Sequence, residues 1–458
     1  MDATRTCLVT GATGYVGGRL VPRLLDRGHR VRALARTPAK LSDAPWSSDP
    51  RAEVVKGDLS ERDSLVAAFR GVDVVYHLVH SMSTDGDFAA EERRSAENVV
   101  VAARQCGVSR IVYLGGLHPE GADLSEHLAS RAEVGDILVG SPIETVALQA
   151  GTLIGSGSAS FELIRHLTER LPAMTTPRWV SNKIQPIAVA DALHYLVEAA
   201  TADVPGSRAW DIGGPDVLEY GDMMQIYAEV AGLRRRVMVV LPFLTPSVAS
   251  RWVRLVTPIR GRIARPLIES LECDAVCRNR DIDTIIPRPP GGLTSYRQAI
   301  AATLDRVDRG AAPATWSDVR ARTPAAEPIP SDPPWSGEEV FESSTTTVET
   351  GTPDGLWRTL PRHGDPVVED RPNLLRLRVH DDSRGKGFVE FRLRGRPGAD
   401  RTEIATTEIT TTTRFFPHGL AGLVWWQAGR PLRAVGASSV DPFAAARTRL
   451  RPSQRISG

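Results

Sequence analysis

Thr6-Cys7-Leu8-Val9-Thr10 runs directly into Gly11-Ala12-Thr13-Gly14-Tyr15-Val16-Gly17-Gly18, which is followed by apolar residues at helical spacing, Leu20, Val21, Leu24 and Leu25. The pattern predicts a short buried strand, a glycine turn and a helix. A pyrophosphate held at such a turn sits on backbone N–H groups where the helix dipole favours an anion, and a Cβ would block its approach. Glycines at 11, 14 and 17 supply the tight turn, the close approach and the contact of helix with strand. Gly28 then ends the helix, and His29 to Ala35 reads as a second strand, so the context a dinucleotide site requires is present on both sides. The bland alternative is a glycine-rich turn that holds no ligand.

The end of the second strand chooses the cofactor. An acid there accepts the ribose hydroxyls of NAD, whereas a cation meets the 2′-phosphate of NADP. The residues are Ala35-Arg36-Thr37, with no acid, so Arg36 favours NADP and leaves NAD possible. Arg32 is a second candidate, or simply a solvated strand residue.

Further along, Ala52 to Lys56 reads as a strand closed by Gly57-Asp58-Leu59, Asp63 to Phe69 as a helix and Asp73 to Val79 as a strand. Glu91 to Cys106 follows as a helix and Arg110 to Leu114 as a strand. Strands alternating with helices mean an α/β fold, a Rossmann-like doubly wound parallel sheet whose ligands bind at the carboxyl ends of the strands. Asp58, His77 and Gly115-Gly116-Leu117 stand at three such ends.

The chain has 458 residues, enough for two or three domains, with 41% hydrophobic and 24% charged residues. Lys+Arg of 56 against Asp+Glu of 55 leaves a net charge of +1, which recommends neither a nucleic acid nor an acidic membrane as partner. The four cysteines, Cys7, Cys106, Cys273 and Cys277, lack the paired spacing of a zinc site and read as free thiols; no metal is expected. No signal peptide is read at the start, and apolar runs such as Val237 to Leu244 fall far short of the roughly 18 residues of a membrane helix. A cytoplasmic location is expected.

The segments TGATGYVGG (10–18), GDL (57–59), YHLVHSM (76–82) and VYLGGL (112–117) together resemble the short-chain dehydrogenase/reductase superfamily, in particular its extended and atypical members, NmrA-like and epimerase/dehydratase-like. The resemblance covers roughly residues 4–310. It implies that Gly11, Gly14 and Gly17 hold the pyrophosphate, that Asp58 meets the adenine, that His77, Leu78 and Val79 line the nicotinamide ribose, and that Thr13, Tyr15, Val16 and Leu59 are also cofactor-binding. Leu148 to Gly155 and Gln185 to Asp191 resemble two family segments of the substrate side.

A carbonyl reductase of this superfamily uses a tyrosine tuned by a lysine four residues later. None of the tyrosines (15, 76, 113, 195, 220, 227, 296) has that lysine. The matching stretch, Leu124 to Arg131, offers His127 and Arg131 at the same separation. His127 reads either as the proton donor, with Arg131 on the ribose, or as an exposed residue in the first turn of a helix. His118 and His80 are alternatives near the same strand ends, and Tyr113 reads as core. Gly155-Ser156-Gly157-Ser158 either caps the next helix or wraps a substrate.

In extended members of the family the region matching 206–310 forms a small, mostly helical lobe over the substrate. Here it carries Phe243, Trp252, Leu255 and Leu267, which fits an apolar small-molecule substrate or a plain core. Prolines at 313, 324, 328, 330, 333 and 334 mark a linker over 311–334. Beyond it, 335–452 turns to β texture (340–349, 374–379, 387–393, 401–415) with helices expected at 351–360 and 440–450, an α+β unit. Phe415 to Trp426 resembles the ending of a START-like domain of unknown function that follows such reductase domains, with a shortened segment between Trp357 and Leu374. Trp425 and Trp426 either line a lipophilic site or plug the mouth of the sheet. The whole implies an NADPH-dependent oxidoreductase acting on an apolar carbonyl or enone; alternatively, a non-catalytic NADP-binding redox sensor or assembly module with a protein partner.

Overall fold

A computed structural model describes residues 4–79, 88–119, 124–241, 257, 261–308, 341–360, 367–371, 374–382, 384–396, 406–417 and 419–428. The chain divides into two compact units, Met1–Thr168 with Pro172–Gly337, and Glu169–Leu171 with Glu338–Gly458. The expected linker, His80, the residues around Trp252 and the expected helix at 440–450 lie outside the described residues.

The first unit opens with β1 (Thr6–Val9), α1 (Tyr15–Asp26), β2 (Arg30–Ala35), β3 (Ala52–Lys56), α2 (Arg62–Phe69), β4 (Val74–His77), α3 (Phe88–Cys106), β5 (Arg110–Gly116), α4 (Glu126–Val139) and β6 (Glu144–Ala150). Short strands β7 (Leu153–Ile154), β8 (Ala173–Thr176), β9 (Lys183–Ile184) and β10 (Ile187–Ala188) surround α5 (Ala159–Arg170) and lead to α6 (Val189–Glu198) and β11 (Arg208–Ile212). The lobe follows with β12 (Leu218–Glu219), α7 (Tyr220–Val230), β13 (Val237–Val240) and the helices Gly261–Glu269 and Tyr296–Asp308.

Seven strands form one sheet in the order β11-β6-β5-β4-β1-β2-β3, and every pairing is parallel. Parallel sheets bury both faces, and β4 is accordingly buried at all its positions. One core layer sets Leu20, Val21, Leu24 and Leu25 of α1 and Leu193 and Leu196 of α6 against the sheet. The other sets Leu65 and Phe69 of α2, Val99 and Ala103 of α3, and Val134 and Leu138 of α4 against the opposite face. Each fully buried leucine or phenylalanine contributes roughly 1.5–3 kcal/mol, so these layers hold the glycine turn rigidly at the strand ends. Trp210 corrects the expected boundary of the lobe: Arg208–Ile212 runs parallel to β6 as the outer strand of the main sheet, not as part of the lobe. Among the described residues no helix is long and apolar enough to cross a membrane.

The second unit is a five-stranded antiparallel sheet built from β14 (Phe341–Thr350), β15 (Val367–Arg371), β16 (Leu374–Asp382), β17 (Gly385–Arg396) and β18 (Thr406–Pro417), ordered β14-β18-β17-β16-β15. Helices Pro353–Thr359 and Gly419–Ala428 accompany it. Trp426 stacks on Phe415 with ring centroids 4.6 Å apart and on Phe341 at 5.4 Å, while Trp425 lies 5.3 Å from Phe415. These indoles pack, partly buried, on the sheet's aromatic core.

Candidate functional site

Between β1 and α1 the chain turns on Gly11, whose φ of +68° lies in the left-handed region that glycine adopts without strain. Gly14 N–H donates to the Gly11 carbonyl at 2.8 Å, and Gly14 caps α1 with an extended backbone, no side-chain cap and no acid in the first turn. The first N–H groups of α1 are therefore left to an anion. A Cβ on residue 17 would overlap the Gly11 backbone, with the Gly11 carbonyl carbon 2.8 Å away, so Gly17 permits the helix to sit on the turn.

This turn opens into a cleft of about 850 Å³. Gly11, Thr13, Gly14, Tyr15, Val16 and Gly17 line one end. Arg36, Asp58 and Leu59 continue it along the carboxyl ends of β2 and β3, and His77, Leu78 and Val79 follow after β4. His127 and Arg131 of α4 complete the opposite wall, together with Gly115, Gly116 and Leu117. The fold thus gathers residues from six separate segments at one switch point of the sheet.

Arg36 is exposed. The Ser60 backbone N–H, then its hydroxyl, and then the charge of Arg36 hold the Asp58 carboxyl below the usual range. Arg32, the second cofactor candidate, is occupied elsewhere: it pairs with Glu53 at 2.8 Å and donates to the carbonyls of Ala68 and Arg70. It does not line the cleft.

His77 is buried, and burial pushes its imidazole down to about 4. Its Nδ1 has no hydrogen-bond partner among the described residues. His127 is buried as well, which removes the exposed first-turn alternative; Phe88 of α3 covers it with ring centroids 6.5 Å apart. Burial, followed by the charge of Arg131, pushes His127 down to about 4. The Arg131 guanidinium donates from Nη2 to the Leu114 carbonyl at 3.1 Å, while its buried Nε has no partner among the described residues. Tyr113 is core, as expected, and donates to the backbone carbonyl of Arg131.

His118 is corrected: its Nε2 lies 3.3 Å from Gln149 Nε2, and it does not line the cleft. Of the two segments likened to the family's substrate side, Gly151, Thr152 and Leu153 line the cleft. Gln185 and Asp191 instead brace the lobe. Gln185 donates to the Gly214 carbonyl at 2.7 Å and accepts from Cys277 N–H at 3.0 Å. Asp191 accepts from Thr294 N–H at 2.7 Å. The 155–158 loop caps α5: Gly157 N–H donates to Glu162, and Ser158 Oγ donates to the Leu153 carbonyl.

Glu92 was missed. It lines the cleft and accepts from Ser130 Oγ at 2.5 Å. The signal was present, because Glu92, Ala96, Val99 and Ala103 form the buried stripe of α3, and a carboxylate on such a stripe needs a partner. Trp179 and Tyr220, also lining the cleft, carried no comparable pattern.

Residues 11–149 match a family model described as NAD(P)H-binding. A 3 beta-hydroxysteroid dehydrogenase/Delta 5→4-isomerase of Mycobacterium tuberculosis is 35% identical over 133 residues, which are 25% of this chain and 35% of that protein. The ceramide reductase of Caulobacter vibrioides is 26% identical over 240 residues, 52% of this chain and 74% of that protein. The triphenylmethane reductase of Citrobacter sp., solved with NADP(H), has 20% identity and a TM-score of 0.52, covering 65% of this chain and 99% of that one. The matched stretch spans only about a third of the first of these relatives. The N-terminal part of the chain is a Rossmann-fold domain that matches an NAD(P)H-binding family and is similar to dehydrogenases and reductases. The relatives that match this part of the chain include proteins named as dehydrogenases and reductases.

Proposed function

We propose that the protein is an NADPH-dependent reductase of an apolar carbonyl or conjugated double bond. One observation carries this: His77 Nδ1 and Arg131 Nε are buried polar atoms without protein partners, on side chains that line the same cleft as the glycine turn. Buried polar groups in folded proteins are as a rule hydrogen-bonded, so a polar ligand in the cleft would account for the pair. Together with the side-chain-free cap at Gly14, the residues fit a dinucleotide whose pyrophosphate sits on α1 and whose nicotinamide end reaches His77 and Arg131. When bound, the nicotinamide supplies hydride.

The chain's own part is to orient the acceptor and stabilise the charge that develops on its oxygen. An imidazole held near 4 is neutral at pH 7, so His127 acts as a fixed N–H donor to the carbonyl oxygen, not as an imidazolium acid. The cation of Arg131, close enough to depress His127, adds stabilisation, and the proton arrives from water. The apolar relatives' substrates, steroid and ceramide by name, are in keeping with this choice of substrate.

The alternative is a nucleotide-binding sensor or assembly module that turns nothing over, favoured by the missing Tyr-x-x-x-Lys pair and the low basicity of His127. Following NADPH absorbance across carbonyl, quinone and enone panels separates the two. Turnover that falls roughly a hundredfold in His127→Ala supports the reductase. Tight NADPH binding with no oxidation on any panel overturns it.

A further inference from the structure

Ionisable side chains are distributed unevenly around the cleft. Among the described residues, all charged or imidazole-bearing side chains lining it, Arg36, Asp58, Glu92 and Arg131 among them, precede residue 132. From Ala150 onward no described lining residue is Asp, Glu, Lys, Arg or His. Helix α5 shows that this is a built feature. Its stripe Ser160, Leu163, Ile164 and Leu167 faces the cleft, while Glu162, Arg165 and His166 of the same helix are buried and do not line it.

One polar atom of this second wall stands without a partner. Trp179 Nε1 is buried and unbonded among the described residues, with the indole held edge-on against Tyr220 at 6.0 Å between centroids. The Tyr220 hydroxyl lies 3.5 Å from Thr152 Oγ1. An indole N–H is a donor only, so it recognises an oxygen acceptor. A phosphate or carboxylate brought to this wall would shed its water and meet no cation among the described residues.

We propose that the wall formed after residue 150 is a subsite for an uncharged, largely apolar molecule carrying an oxygen acceptor remote from its reacting carbon, with Trp179 as the specificity-determining donor. Phosphorylated and carboxylated substrates, nucleotide sugars and coenzyme A thioesters included, are excluded from it. The inference rests on the proposed reductase function only in taking the nicotinamide end of the cleft as the reacting end.

The test is calorimetry on the NADPH-loaded full chain with three steroid-sized probes: a diketone with oxygens at opposite ends, the monoketone lacking the far oxygen, and the ketone with a carboxylate in its place. The diketone should bind tightest and the keto-carboxylate at least about a hundredfold more weakly. Trp179→Phe, which keeps an aromatic ring, should weaken the diketone about threefold to tenfold and leave the monoketone unchanged. A keto-carboxylate that binds as well as the diketone, equal weakening of both ketones in the variant, or binding of no ketone overturns the proposal. If the variant does not fold, the three probes on the unaltered chain still decide. Diketone binding without NADPH oxidation would sink the reductase and leave the subsite; preferred turnover of the keto-carboxylate would do the reverse.

Discussion

The Tyr113 hydroxyl donates to the backbone carbonyl of Arg131 at 2.9 Å, and the Arg131 guanidinium donates back to the carbonyl of Leu114 at 3.1 Å, so strand β5 and helix α4 are clasped across the edge of the cleft. The phenol is committed to this bond and buried, and burial raises its pKa. A Cβ on Gly115 or Gly135 would lie 3.1 Å or 3.4 Å from the Tyr113 ring, so both glycines leave room for it. A tyrosine fixed in this way is a brace that orients Arg131.

Tyr113→Phe should therefore lower stability by about 1 kcal/mol, the ordinary net worth of a hydrogen bond, and leave NADPH affinity within about twofold. Thermal denaturation and a fluorescence titration measure the two. A variant that folds normally yet loses NADPH oxidation by a hundredfold would make Tyr113 the proton donor in place of water and sink its reading as a brace.

Acid should destabilise the first unit through two imidazoles. His77 and His127 are each pushed down to about 4 by burial, Arg131 adding to the effect at His127, whereas an unfolded histidine titrates near 6.5. The folded state binds fewer protons between those values, so the stabilisation is complete above about pH 6.5 and is lost as pH falls through 4. Each group contributes on the order of a few kcal/mol at neutral pH. Urea midpoints measured from pH 7 to pH 4 should fall steeply, and His77→Leu should flatten the slope. An unchanged slope would mean that His77 is not buried as a neutral ring.

Gly14 and Gly17 should fail differently when replaced by valine. At Gly17 the new Cβ meets backbone atoms of Gly11 and Ala12, which cannot move aside as a side chain could, and overpacking of this kind costs roughly 1–3 kcal/mol. At Gly14 the backbone is extended, with φ of −92°, and the nearest obstacle is a single carbonyl oxygen at 3.1 Å. Gly14→Val should keep most of its stability and lose affinity for both NADPH and NADH, because its branches fill the space over the α1 N-terminus. Matched melting and binding curves for the pair check this. Equal loss of nucleotide at unchanged melting temperature in both variants would contradict the division of roles.

The parallel sheet could be read from the sequence because strands buried on both faces are apolar runs punctuated by glycine, as at Thr6–Val9 and Arg110–Gly116. Arg208–Ile212 escaped because its edge position leaves a mixed pattern. Asp211 there is buried, and its charge is met by Arg278 through bonds of 2.9 Å from a residue 67 positions away. The nucleotide end was readable as a local motif, strand and turn together. The environment of His127 was not, since its burial depends on Phe88, brought over it by a different helix. Trp179 sits in a four-residue 3₁₀ turn, Arg178–Ser181, too short to carry any periodicity.

Arg36 is the residue to which the proposed NADP preference is assigned. It stands exposed at the end of β2, lines the cleft beside Asp58, and makes no hydrogen bond or ion pair with the described residues, in contrast to Arg32, which is held by Glu53 and two carbonyls. A guanidinium in that state can close on a 2′-phosphate as a charge-assisted pair. Arg36→Asp removes the pair, sets a like charge against the phosphate next to Asp58, and offers NAD a carboxylate for its ribose hydroxyls. NADPH affinity should fall roughly tenfold to a hundredfold, while NADH affinity holds or rises. Titrating both nucleotides into wild type and variant at fixed ionic strength isolates the effect from screening. If Arg36→Asp keeps the wild-type ratio of NADPH to NADH affinity, the phosphate is bound by another residue and the NADP assignment at this position fails.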